Sequence, residues 1–203
     1  MKQVFVFSEW IYKFVLLNIL WLVFFLVGLG IFGFMPATVA VYSIVRRWFI
    51  GERDVPIVSS FIQYYRAEFI RTNKVGLIFL FLFIILYLNF YYVDLNPEPL
   101  NNILFFLYCA MGFVVGVTFI NVFPVLAHLE LKTVGYIKAA CALAFLHPIK
   151  MAMQLLWIFC YLLVLHQFLV LLPALGVSVL IYFLMRINFD TIQQYRQDHE
   201  VGS

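Results

Sequence analysis

Charge is distributed along this chain in blocks separated by long silences. Nineteen consecutive residues, 75–93, carry no Asp, Glu, Lys or Arg. As an α-helix they rise about 28 Å, close to the ~30 Å hydrocarbon core of a bilayer. Three further runs, 14–45, 99–129 and 151–185, are equally free of those four residue types. Uncharged runs of this length predict helices that cross a membrane, since a helix satisfies its own backbone in lipid. The expected fold is all-α: a polytopic transmembrane helical bundle, a single integral membrane domain over residues 1–203.

Punctuation within the runs sets the expected elements. The run 14–45 is too long for one upright crossing and barely long enough for two. Gly28, Gly30, Gly33 and Pro36 interrupt it, and proline suits the first turn of a helix. Pro36-Ala37-Thr38 is therefore expected to open a second helix, giving spans 14–33 and 36–49, the latter short or re-entrant. Residues 46–74 form the one substantial polar loop. Within it Ser60-x-x-Gln63 matches a capping box, and Phe61, Ile62, Tyr65, Phe69 and Ile70 recur near helical spacing beside Arg66, Arg71 and Lys74. That pattern predicts an interfacial amphipathic helix, or else a short helix packed on the spans. Further spans are expected at 75–93, 103–128, 149–165 and 168–186, the last two an antiparallel pair turning near His166-Gln167. Connections fall at 94–102 and 130–150, and a polar tail at 187–203. The total is five or six membrane helices. Gly112 and Gly116 stand at the small-x-x-x-small spacing that lets helix backbones approach closely.

Composition agrees. Hydrophobic residues make up 66% of the 203 and charged residues 11%, where a soluble domain carries about a quarter charged. A net charge of +3 is too small to suggest nucleic acid. Cys109, Cys141 and Cys160 are odd in number with no C-x-x-C pair, which reads as small apolar side chains, not a disulfide or zinc framework. Glu9 sits between Lys2 and Lys13, and the apolar run after them exceeds a signal peptide's h-region, so this is read as a retained span.

Lys and Arg favour some connections over others. The loop 46–74 holds six, the loop 130–150 three, the tail two with Arg186 at its start and the N-terminus two, while 94–102 and the His166 turn hold none. Basic loops stay in the cytoplasm during insertion. This predicts a plasma-membrane protein with loops 46–74 and 130–150 and the C-terminus cytoplasmic, facing anionic lipids. A single crossing by 14–45 would put Lys2 and Lys13 outside; a hairpin turning near Gly28–Gly33 keeps both ends inside, and the glycines and the N-terminal charge favour it.

Chemistry is sparse. No Asp or Glu falls within an expected span, and the Lys and Arg that do, Arg46, Arg47, Lys150 and Arg186, stand at span ends, which argues against an intramembrane proton relay. There is no H-E-x-x-H, G-x-S-x-G or P-loop. No catalytic, cofactor-binding or metal-binding residue is assigned, and the chain reads as a non-enzyme. Asn18, Asn89, Asn121 and Gln154 are the amides at depth. They serve as interhelical glue at roughly 0.6–2 kcal/mol each or, if they converge, as a neutral pocket for hydroxyl-bearing ligands. His128 and His147 flank the loop that holds Glu130, the residue types of a two-His-one-carboxylate site, though interfacial histidine is ordinary. Arg46 and Arg47 either snorkel to headgroups or meet Glu52, Asp54 or Glu68 as a docking surface. The interaction candidates are Asn18, Pro36, Thr38, Arg46, Arg47, Arg66, Asn121 and Gln154.

Three stretches carry a resemblance: Asn18-Ile19-Leu20-Trp21-Leu22; Gly33-Phe34-Met35-Pro36-Ala37-Thr38 running on to Tyr42, Arg46 and Glu52; and Phe61-x-x-Tyr64-x-x-x-x-Phe69. On these the chain resembles the YesL family of bacterial membrane proteins, a domain without assigned biochemical function. Where the family usually reads Asn-Phe in the loop, Glu68-Phe69 stands here. The resemblance implies genes lying near those for carbohydrate uptake and glycan breakdown. From that comes the expected role, an accessory or regulatory component associated with a carbohydrate transporter complex. The alternative is a small facilitator or permease for a neutral solute such as a sugar.

Overall fold

The computed structural model describes residues 2–93, 100–167 and 172–201, with side chains over 7–92, 101–167 and 176–194. The described residues form seven helices and no strand: α1 (Lys2–Val27), α2 (Ile31–Phe49), α3 (Ile57–Val93), α4 (Leu100–His128), α5 (Thr133–Leu146), α6 (Pro148–Gln167) and α7 (Leu172–Val201). By length and apolar composition, four stretches can cross a membrane: Phe7–Val27, Ile57–Tyr92, Asn101–His128 and Pro148–Gln167. The turn expected at 94–102 falls mostly outside the described residues, as do residues 168–171.

The first apolar run folds back on itself. Gly28 and Gly33 meet so closely that a Cβ on either would strike backbone of the other arm. Leu29 and Gly30 turn the chain at φ 56° and 75°, a region in which glycine is at ease and leucine is strained. The arms are then tied by Trp21 Nε1 donating to Thr38 Oγ1 at 3.0 Å. Lys13 Nζ donates to Arg53 O at 3.0 Å, so the first half of α1 lies beside the α2–α3 connection.

α2 is the buried axis of the fold. Residues 35–45 are all buried, and α1, α3, α4 and α7 pack around them. Its helix starts at Ile31, five residues before the expected Pro36. Pro36 therefore sits inside the helix, where it has no N–H for the Phe32 carbonyl four residues back. Asn73 Nδ2 of α3 supplies the missing donor at 3.0 Å.

Three boundaries differ from the sequence reading. α3 begins at Ile57, just after Pro56, and not at the Ser60 capping box; Ser60 is buried within the first turns. It then runs 37 residues without a break, about 55 Å, so the expected interfacial helix and the 75–93 crossing are one rod. No proline interrupts it, and Thr72 and Asn73 return their side chains to the carbonyls of Glu68 and Phe69 at 2.9 and 2.8 Å. The 130–150 loop contains a helix, α5, and Pro148 opens α6 immediately after it. The tail does not leave the bundle at 187: Asn188, Thr191 and Ile192 are buried. Contacts between α6 and α7 widen in sequence separation from Tyr161–Gly176 to Gln154–Asn188 to Lys150–Thr191, the signature of an antiparallel pair. A Cβ on Gly112 or Gly116 would meet nothing within 4 Å among the described residues, so neither marks a close helix contact there.

The hairpin predicts that cysteines placed at Ser8 and Asp54, in a background lacking Cys109, Cys141 and Cys160, react with an impermeant maleimide from the same side of the membrane. Labelling from opposite sides would break the hairpin.

Candidate functional site

Two of the expected amides come together, and a third that the sequence reading left in the tail joins them. Gln154 Nε2 on α6 donates to Asn188 Oδ1 on α7 at 2.7 Å and to Asn121 Oδ1 on α4 at 3.2 Å. Asn188 Nδ2 donates to Asn121 Oδ1 at 3.1 Å, and Asn121 Nδ2 to its own helix at Val117 O, 3.0 Å. All three are buried, at 0–3% exposure. Gln154 donates to both asparagines and Asn188 to Asn121, which ties three helices together through amides, without placing a charge in lipid.

Asn18 is elsewhere. Its Oδ1 accepts the Ser178 backbone N–H at 2.8 Å. α7 has non-helical backbone at Gly176, so Ser178 lies at the start of a fresh helical segment whose first N–H groups lack internal partners. Asn18 thus caps a broken helix from a neighbouring one. The Gly176 carbonyl released by the break accepts from Tyr161 Oη, and Ser178 Oγ donates to Phe14 O at 3.0 Å. A Cβ on Gly176 would strike the Asn18 amide, which accounts for the glycine. Twelve residues of α7, about 18 Å of helix, separate Gly176 from Asn188. Asn89 returns to Ile85 O on its own helix at 2.7 Å.

The arginines divide by role. The last carbonyls of α4 have no partners within the helix. Arg46 Nη1 donates to Ala127 O at 2.5 Å and Arg71 Nη2 to Leu126 O at 3.0 Å. Two cations from two helices therefore cap the negative end of a third. Arg71 also pairs with Glu68 at 2.5 Å and lies over the Tyr136 ring at 5.4 Å. Tyr136 Oη in turn donates to Leu129 O and accepts from Leu131 N–H, at 3.3 and 2.8 Å, fixing the α4–α5 connection. Arg47 meets Glu52, as the docking reading considered, at 2.6 Å. Arg66 is exposed on α3, as are Lys132 and Lys138 beside and on α5. Thr38 Oγ1 donates to Phe34 O at 2.7 Å while accepting from Trp21. His128 Nδ1 lies 2.9 Å from Pro124 O. Among the described residues no three His, Cys, Asp or Glu side chains are placed to hold a metal ion, so His128, His147 and Glu130 do not assemble as a ligand set.

Residues 14–90, the hairpin and nearly all of α3, match a family described as "Protein of unknown function, DUF624". Over 192 residues the chain is 33% identical to the uncharacterized protein YteU of Bacillus subtilis (strain 168), covering 94% of this chain and 86% of the relative. It is 31% identical to YesV of the same organism over 93% of each chain, and 28% identical to YesL over 96% of this chain and 91% of the relative. The chain belongs to the YesL family. No solved structure matches it. The region matched by the family model holds Trp21, Pro36, Thr38, Arg46, Arg71 and Asn73, so in this YesL-family chain it contains the hairpin tie, the proline-freed carbonyl and both α4 caps.

If the amide ring is a structural lock, Gln154→Leu lowers stability by about 1–3 kcal/mol, because it strands the buried Asn188 Oδ1 and takes one of two donors from Asn121 Oδ1. Replacing Asn121, Gln154 and Asn188 together by Leu then costs less than the sum of the three single changes, since no polar partner remains stranded. Thermal unfolding in detergent measures both; strict additivity would contradict the ring.

Proposed function

We propose that this YesL-family protein is a non-catalytic accessory component of a carbohydrate-uptake system, acting by docking through its cationic face. The observation that carries the reading is how the polar side chains at depth are engaged. Asn18, Thr38, Asn121, Gln154 and Asn188 all hold other helices or backbone, which supports a scaffold over a conduit. A facilitator for a neutral solute needs Asn18, Asn121 and Gln154 around one cavity, whereas Asn18 joins Ser178 and the other two join Asn188.

Partner contact falls to cations not engaged inside the bundle. Arg66, Lys132 and Lys138 are exposed and have no ion-pair partner among the described residues. The positive-inside bias of their loops supports a cytoplasmic position for them. There they face the compartment in which a transporter's energy-coupling or regulatory parts reside. The carbohydrate assignment comes from the gene neighbourhoods that the family resemblance implies.

The test is affinity purification from native membranes after mild crosslinking, with quantitative mass spectrometry. A transporter subunit is expected to co-enrich, and Arg66→Glu, Lys132→Glu and Lys138→Glu combined to cut that enrichment about tenfold without changing expression. Consistent absence of any transporter subunit with the unmodified protein would count against the reading.

A further inference from the structure

An apolar groove of about 400 Å³ opens on the surface between the α1–α2 hairpin and α3. Phe25 and Leu29 form one wall, Leu77, Leu80 and Phe83 another, and Phe34 lies along it. The groove begins at Asn73 and follows α3 to Phe83, about 15 Å along the helix, into the uncharged run 75–93. Asn73 is the one polar side chain lining it, and its amide nitrogen already donates to Phe32 O and Phe69 O. Nothing in these walls would recognise a sugar.

Lining and charge together identify the occupant. The groove follows α3 for about 15 Å and is apolar apart from Asn73. An extended hydrocarbon chain is the apolar object that a bilayer supplies. At the Asn73 end the surroundings turn electropositive. Lys74 is exposed, has no ion-pair partner among the described residues, and lies one turn from Leu77 on the same helix face. The N-terminus of α2 is at the same end, capped by Gly30, which has no side chain to offer its N–H groups, and a helix N-terminus favours an anion. Apolar walls running into the uncharged segment from a cationic mouth match a phospholipid with a negative headgroup.

We propose that this groove binds one acyl chain of an anionic phospholipid, with the phosphate held at Lys74 and the start of α2. The lipid seals the exposed side of the hairpin turn, where Leu29 and Ile31 are otherwise 84% and 63% exposed.

The protein is reconstituted in phosphatidylcholine nanodiscs containing a few per cent of phosphatidylglycerol that carries a diazirine near the middle of one acyl chain. After irradiation, labelled peptides are mapped by mass spectrometry. Labelling is expected to concentrate on 77–83 and 25–34, at least fivefold above the exposed α4 face around Phe106 and Phe113. Unlabelled phosphatidylglycerol is expected to compete it away, and added phosphatidylcholine is not. Leu80→Trp, which fills the groove, reduces labelling to the α4 level, and Lys74→Glu removes the preference for the anionic probe over a phosphatidylcholine probe. Even labelling of both faces, or equal competition by the two lipids with the unmodified protein, overturns the proposal. The competition arm needs no variant to fold.

Discussion

In lipid, a polar group that leaves its helix must find another partner inside the protein, because there is no water to accept it and each orphan costs several kcal/mol. The irregularities of this fold are answers to that constraint. Pro36 removes a donor from α2, and Asn73 of α3 supplies one to the freed Phe32 carbonyl. Gly176 breaks α7, and Asn18 of α1 and Tyr161 of α6 take up the released N–H and carbonyl. The end of α4 is held by Arg46 and Arg71 from α2 and α3. In these three places a defect or an end of one helix is satisfied by a neighbour, so these features themselves specify which helices must be adjacent.

This explains why α2, which ends in charge, is the centre of the structure. It is enclosed by helices that keep their own apolar faces toward lipid, such as Leu22, Leu26, Phe81 and Phe106. A helix surrounded by protein is freed from the need for a wholly apolar circumference. It can end in Arg46 and Arg47 and place Thr38 and Ser43 at depth, each bonded to a carbonyl one turn back.

Much of this was legible in the chain. Helical spans followed from uncharged runs, because bilayer thickness and helix rise leave few alternatives. The hairpin was foreshadowed by Gly28, Gly30 and Gly33 together with the early lysines. What sequence could not supply were features fixed by partners distant in the chain. Asn188 lies between Arg186 and Asp190 and reads as solvated tail; only packing against α4 and α6 shows it buried. The continuity of α3 was hidden because a capping-box match at Ser60 and a charge cluster at 66–74 both suggest boundaries, yet neither contains a residue that ends a helix. α5 was missed because 130–150 was read by its charge, although 133–146 holds only Lys138 among its ionised residues and no proline.

The division among the cations bears on how such a protein can act. Arg46 and Arg71 are committed to the end of α4, and a partner that drew them away would leave two carbonyls without donors. Hydrogen bonds from charged donors contribute about 1.5–3 kcal/mol each, comparable with the energy of a typical allosteric coupling. Docking by these two residues would therefore oppose the stability of the bundle, whereas docking by Arg66, Lys132 and Lys138 would not. Were this face to dock a partner without disturbing its own scaffold, recognition would fall to the exposed cations and rigidity to the half-buried Arg46 and Arg71. The fold keeps the two separate by drawing the scaffold cations from the end of α2 and the middle of α3, and the exposed ones from the outer face of α3 and the region of α5.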